Sequence, residues 1–455
     1  MKYIHKLVFK SIDVSIVAIF RIFFGMFMTY QMIYYYEIDY TFQFIFGPEV
    51  LFPYQGLEFL QPFSLGFLKV IHAGLLISAI LITLGFLYRY AMIFFFVGFS
   101  YFSFIDKTLY NNHIYLIALI AFVMIFMNAD RKYSLRVKFS KKPLSKLVPA
   151  WQQNILIFLL SVVYFYGGIS KLSPNWLDSN LVGYTIDQAQ SSVLTNLFPK
   201  ETLIMLIKYG GLIFDLSIAF ILLNKRTRLF GVILVVIFSY TNNSILFDDI
   251  GIFPFFMICA TILFFDSKKV GNYVDGIFMS KSTENSEEQE AVLDQNESPK
   301  FKKLTLICIF LFVAFQLVFP LRHHFLTTNP EWTGIAQKFS WRMKMQSRNV
   351  TQFTMSLVDR ATSQRYNLDG TTFVTRNQFM HMPEDPYTFV HLAKYISKKL
   401  YLEQGLVNPI IKADLQVEFN GMPTQHMLDP RIDLTKMDED QFSDNQWISE
   451  FKGYQ

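Results

Sequence analysis

Two short segments carry the residues best suited to chemistry. Asn111-Asn112-His113 stands at the start of an apolar run, and Gly167-Gly168-Ile169-Ser170-Lys171 stands at the end of another. Each puts groups that accept or donate protons at the edge of a stretch long enough to enter a bilayer. A lysine in an apolar pocket loses the solvation of its ammonium form and becomes a usable general base. His113 could polarise a substrate oxygen or hydrogen-bond the neutral amine of Lys171. The plainer readings are a lysine that snorkels to the interface and an asparagine that caps a helix beside an interfacial histidine. Capping accounts for one Asn and not for the cluster. Polar groups at a span's edge usually face the bundle or a water-filled cavity. The chemistry implied is proton removal from an apolar substrate.

The elements that must position these groups are membrane spans. The chain has 455 residues, 52% of them apolar, including 50 Phe. That balance excludes an ordinary soluble domain. Apolar runs near 12–36, 66–87, 90–105, 113–129, 152–169, 203–223, 229–246, 250–266 and 304–320 predict about nine transmembrane helices. Segment 180–200 is too polar to span and reads as re-entrant or interfacial. Lys2, Lys6 and Lys10 precede the first run as in a signal peptide, but no small-residue cleavage site follows, so the run reads as a retained span. With the amino terminus in the cytoplasm, the cytoplasmic segments hold twenty Lys and Arg. The opposite loops hold three, Lys107, Lys171 and Lys200. That contrast predicts His113, Lys171 and everything from Leu321 onward on the non-cytoplasmic side.

The expected architecture is a polytopic α-helical membrane bundle over 1–320, followed by an extramembrane α+β domain over 321–455. Segment 279–300 is acidic and reads as a disordered cytoplasmic loop. In the tail, 352–358 alternates as a strand, 387–403 has helical spacing after Pro386, and 413–419 reads as a strand entering an Asn420-Gly421 turn. Cys259 and Cys308 both lie in apolar runs, so neither a disulfide framework nor a metal site is expected.

Two further groups stand out. Arg21 and Asp215 are charges inside spans, at similar computed depth, and are expected to form a structural ion pair pinning two helices. The tail opens with Pro320-Leu321-Arg322-His323 and continues through Phe339-Ser-Trp-Arg-Met-Lys344 to Arg348. Arg322, Arg342 and Arg348 could bind carboxylates, while Trp341 and Met343 could pack an apolar ring. A basic, aromatic collar at the lipid headgroups is the plainer reading.

Taken in order, these segments resemble the vitamin K-dependent γ-glutamyl carboxylase family, in its bacterial branch with an HTTM-type membrane domain. The resemblance runs from Phe20-Arg-Ile-Phe-Phe-Gly25 and Tyr54-Gln-Gly-Leu-Glu-Phe59, through the Asn-Asn-His and Gly-Gly-Ile-Ser-Lys segments and Ile250-Gly-Ile-Phe-Pro254, to Phe339–Lys344. It implies an integral-membrane enzyme using reduced vitamin K, a naphthohydroquinone, with O2 and CO2 as co-substrates. A lysine at the position of Lys171 would deprotonate the hydroquinone, with Asn112 and His113 beside it. The oxygenated quinol would then remove a γ-hydrogen from a glutamate, and the carbanion would add CO2 as the epoxide leaves. Trp341, Met343, Arg348, Arg322 and His323 fall in the implied substrate-binding region. The implied partners are the lipid bilayer, a lipid-soluble quinol and a Glu-containing secreted peptide, with no nucleic acid and no metal. A bacterial inner membrane is the implied location. Departures include Ser170 where animal members often carry a second lysine, Tyr240 where many carry a histidine, an extra residue in Asp248-Asp249, and a shorter tail. Two other classes fit the residues: a quinone-dependent membrane oxidase or epoxidase without glutamate carboxylation, and a non-enzymatic binder of a lipid-soluble ligand.

Overall fold

The computed structural model describes residues 8–189, 191–246, 251–278, 299–325, 329–439 and 446–453. A short antiparallel pair, β1 (Ser11–Asp13) with β2 (Leu147–Pro149), ties together the starts of helices α1 (Ser15–Glu37) and α5 (Trp151–Ser170). Between them run α2 (Leu65–Leu84), α3 (Tyr88–Phe104) and α4 (Asn112–Ile125). After α5 come α6 (Lys200–Leu223), α7 (Arg228–Thr241), α8 (Phe253–Ala260) and α9 (Pro299–Val318). Six described helices are long and apolar enough to cross a membrane: α1, α2, α5, α6, the stretch Arg228–Leu246 and the stretch Lys300–Phe325. The other three expected spans are helical but shorter. Helix α4 has 14 residues, about 21 Å at 1.5 Å per residue, against roughly 30 Å of hydrocarbon. Asn111 caps it late and the chain leaves helical geometry after Phe126. The acidic segment 279–300 lies outside the described residues except for its last two, which begin α9. Segment 180–200 forms two short helices, Leu181–Asp187 and Val193–Leu197.

Helix pairs approach where glycine permits it. A Cβ on Gly25 would fall 2.6 Å from the Thr83 backbone nitrogen, so α1 and α2 pack backbone to backbone there. Arg21 does not meet Asp215. Its guanidinium donates to the carbonyls of Ala129 (3.2 Å), Thr83 (3.4 Å) and Tyr133. It therefore satisfies carbonyls at the end of α2 and in the adjoining turn, which have no helical partner of their own. Gly85, at φ +63°, leaves the space, since a Cβ there would lie 2.2 Å from Arg21 Nη1.

The tail builds a four-stranded antiparallel sheet in the order β4 (Arg365–Leu368), β3 (Arg348–Val358), β5 (Ile410–Phe419), β6 (Gln425–His426). Helix α10 (Tyr387–Gln404) buries Phe389, Val390, Leu392, Ala393 and Ile396, an apolar stripe at helical spacing. Asn420 (φ 53°) and Gly421 (φ 71°) are both left-handed and reverse the chain toward β6. The two cores exchange residues. Trp341 of the tail is buried in the helical core, and Val50 and Phe52 of the α1–α2 connection are buried in the sheet's core. Hydrogen bonds reinforce the exchange: Gln378 Nε2 donates to Val50 O (2.8 Å) and to Asp106 Oδ2 (2.9 Å).

Candidate active site

Lys171 terminates α5, its N–H bonded back to Gly167 O (3.3 Å) and Gly168 O (3.1 Å). Its side chain is buried and its ammonium is ion-paired with Asp215 Oδ2 of α6. The glycines before it make this pair possible. A Cβ on Gly168 would lie 2.7 Å from the Leu216 side chain and 2.9 Å from its backbone nitrogen. A Cβ on Gly167 would sit 3.3 Å from Asp215 Oδ2 and 3.4 Å from Met343 Cε. Without side chains at either position, α6 closes on α5 and brings Asp215 under the lysine. The Nζ also lies 5.1 Å from the Trp176 ring centre, and Trp176 Nε1 is held by Lys208 O at 2.9 Å. The pocket around Lys171 is thus polar on one side, unlike the wholly apolar one expected.

On α4, Asn111 is the cap, its Oδ1 accepting from His113 N at 2.8 Å. Asn112 Oδ1 accepts from Tyr110 Oη at 2.8 Å, and its Nδ2 points to Arg342 O at 3.5 Å. The His113 ring stacks on Phe253, 3.8 Å between centres and 12° between planes. A cavity of about 400 Å³ opens here, lined by Asn111 and His113 and by rings that include Phe27, Tyr35, Phe99 and Phe256. Flat aromatic walls with one imidazole and the amides of Gln31 and Asn111 fit a planar aromatic ring that carries polar substituents.

The tail inserts between these helices. Trp341 is fully buried and stacks on Tyr115 at 4.9 Å, and among the described residues its Nε1 has no hydrogen-bond partner. Met343 reaches Gly167 beside the Lys171–Asp215 pair. Arg322 holds the segment in place, bonding Phe319 O (3.0 Å), Ser340 Oγ (2.9 Å) and Lys338 O. His323 Nδ1 contacts Pro320 O at 3.0 Å and its Nε2 contacts Arg342 Nη1 at 3.0 Å. Arg342 is ion-paired with the fully buried Glu331, which also accepts from Asn175 Nδ2. Arg348 lies apart, bonded to the carbonyls of Glu331 and Trp332 and set over the Phe419 ring, and burial lowers its pKa to about 10. Four non-glycine residues of this insertion are left-handed: Ala336, Phe339, Trp341 and Lys344. Such residues persist only where their surroundings over-determine them. A second cavity, of about 800 Å³, is lined by Ser173, Asn175, His323, His324, Glu331 and Arg342.

The geometry therefore pairs Lys171 with Asp215, sets Met343 beside Gly167 at that pair, and links Asn112 to His323 through Arg342. It does not bring Arg348 to either cavity. Asp215 as the lysine's partner, Glu331 and Asn175 were not foreseen. The glycine pair of α5 was the signal for Asp215, since two adjacent glycines late in an apolar helix imply a close neighbour.

No solved structure matches the chain. Residues 9–268 match the HTTM domain, and residues 301–453 match the lumenal domain of vitamin K-dependent gamma-carboxylase. Two matches in series, which together span most of the chain, place it in the vitamin K-dependent gamma-carboxylase family.

Proposed function

We propose that this chain is an integral-membrane γ-carboxylase, coupling epoxidation of a reduced naphthoquinone to CO2 addition at a glutamate side chain. In this reading 1–320 is the quinol-facing membrane part and 321–455 the acceptor-facing part, with the amino terminus cytoplasmic and the tail non-cytoplasmic. The observation that carries it is the buried Lys171–Asp215 pair, beside which Met343 of the tail reaches Gly167, while the adjacent Arg342 carbonyl meets Asn112, the neighbour of His113. When bound with O2, a reduced naphthoquinone supplies a base strong enough to remove a γ-hydrogen from glutamate.

The residues of the chain hold and move the starting proton. The pair has two states of equal net charge, ammonium with carboxylate and amine with carboxylic acid. In the second, Lys171 Nζ is a free base, with its proton parked on Asp215 Oδ2. Expulsion of water favours the neutral state, because separated charges lose solvation. His113 presents an imidazole edge to a ring oxygen, and Asn112 ties α4 to the Arg342 backbone. Trp341 and Met343 pack into the helical core between Tyr115 and Gly167, and among the described residues Trp341 Nε1 has no acceptor. Arg322 and His323 position the insertion.

The test uses the full chain in lipid nanodiscs with reduced vitamin K, O2 and labelled bicarbonate, following epoxide and fixed label on a Glu peptide. Both products are expected. Epoxide without fixed label would assign the oxidase reading instead. Neither product, from folded protein, would leave the binder.

A further inference from the structure

Helix α10 has two polar faces. Tyr395 and Lys399 bond Glu49, on the α1–α2 connection of the membrane part, with Tyr395 Oη at 3.1 Å. Lys394, Ser397, Lys398 and Tyr401 are spaced i, i+3, i+4 and i+7 and form an adjacent stripe of the helix. With Arg360, Asn408 and the Thr435–Lys436 turn they enclose a pocket of about 650 Å³. This pocket shares no residue with either cavity of the candidate site.

Its charge is not balanced. Arg360 is fixed, with Nε on Asn408 O at 2.7 Å and Nη2 on Asp433 Oδ2 at 2.9 Å. Asp433 is itself held by Thr435 Oγ1 at 2.7 Å and Ile411 N at 3.2 Å. Lys394 shares Glu439 with His391. Lys398 and Lys436 are exposed, and among the described residues neither makes an ion pair. Two uncompensated lysines and a braced guanidinium thus surround a concave site that also offers a hydroxyl, an amide and the half-exposed Tyr401 ring. Carboxylates match the cations, and the neutral groups match a peptide backbone.

We propose that this pocket docks an acidic peptide segment, tethering a carboxylate-rich acceptor to the tail while one glutamate enters the Lys171 site. The acceptor's identity as substrate rests on the carboxylase reading; the dock itself does not. Tethering raises the local concentration of the reacting side chain without touching the chemical step. It therefore lowers the KM of acidic acceptors and leaves kcat alone.

The probe is a fluorescent oligoglutamate peptide, read by anisotropy against the full chain in phosphatidylcholine nanodiscs at low salt. Binding is expected, weakening as salt shortens the screening length, and oligoglutamine should not bind. Lys398→Glu with Lys436→Glu should raise Kd roughly tenfold, two exposed pairs at up to about 1 kcal/mol each. The corresponding Gln pair should fall between. Lys171→Ala should bind as the wild type does. Should wild-type protein bind the peptide yet show no turnover, the carboxylase reading falls and the dock stands. Unchanged affinity in the charge-reversed protein overturns the dock. So does capture of phosphatidylglycerol vesicles through the same two lysines with no peptide binding.

Discussion

Asp215, in the middle of α6, pairs with Lys171, the residue that ends α5. A helix end therefore lies level with another helix's centre, and the proposed base is held by a carboxylate rather than by apolar contacts alone. Removing one partner from a buried pair typically costs about 3–5 kcal/mol, whereas replacing both can be nearly neutral. Lys171→Met and Asp215→Leu should each lower folded yield in detergent, and the double variant should recover much of it without recovering quinol epoxidation. Recovery of turnover in the double variant would show that Lys171 is only an anchor. Lys171→Arg should also be inactive, because a guanidinium stays protonated.

Arg21 and Asp215 have separate partners, so their substitutions should act independently. The stability losses of Arg21→Leu and Asp215→Leu should add to within about 0.5 kcal/mol. Arg21→Lys should restore part of the loss by serving some of the three carbonyls. A double variant far more stable than the sum, measured by thermal aggregation in detergent, would return the two charges to one pair.

Gly168→Ala should separate α5 from α6, since the new methyl meets a backbone nitrogen that cannot rotate away. A cost of about 1–3 kcal/mol is expected, with loss of activity through displacement of Asp215. Gly210→Ala is the control, because a Cβ there meets nothing within 4 Å. It should be neutral or stabilising by about 0.5–1 kcal/mol, as for a glycine inside a helix. Equal effects from the two would remove the close-approach argument.

Asp385 joins the tail to the membrane part through Lys107 (3.5 Å) and is paired within the tail with Lys338 (3.3 Å). Burial alone would raise its carboxyl, but the two lysines outweigh burial and hold it below the ordinary range. A depressed acid contributes stability above its unfolded pKa of about 3.9, and that contribution is lost as pH falls through the lower folded value. Hydrogen exchange at Lys107–Leu109 should therefore stay slow at neutral pH and quicken only below about pH 4. Asp385→Asn should quicken it at pH 7 and flatten the profile. An unchanged profile would show that the contact carries no docking energy.

Orientation is testable directly. With Cys259 and Cys308 replaced by serine, a cysteine at Thr362 should react with an impermeant reagent in intact cells, and one at Lys142 should not. The reverse pattern would invert the topology and move the proposed site to the cytoplasm.

Much of the helical part was legible because apolar runs are local signals. His113 and Lys171 stood out for the same reason, as polar groups ending such runs. The strands around Gln352 and Ala413, and the Asn420-Gly421 reversal, were legible from alternation and turn chemistry. Pairings across the bundle were not. Depth counted from each helix's own end assumes that ends align, which set Asp215 opposite Arg21. Helix α6 starts at Lys200 and runs well past the end of α5, so its centre meets Lys171 instead. Glu331 gave no signal because it sits in a short turn, and its partner Arg342 is remote from it in pattern. The left-handed residues from Ala336 to Lys344 carry no glycine to announce them.

The exchange of Trp341 and Phe52 between the two cores sets an order of assembly. A ribosome makes Trp341 only after every helix up to α9 has been synthesised. Until then the niche beside Tyr115 has no occupant, and Phe52 waits without a sheet to cover it. The nascent bundle is thus a client for membrane chaperones, competent to insert yet unable to finish its own interior. Ribosome stalling or cleavage ahead of the insertion would yield a product that quality control can recognise by this unfilled seam, and a tail supplied as a separate chain would have to act first as a folding partner.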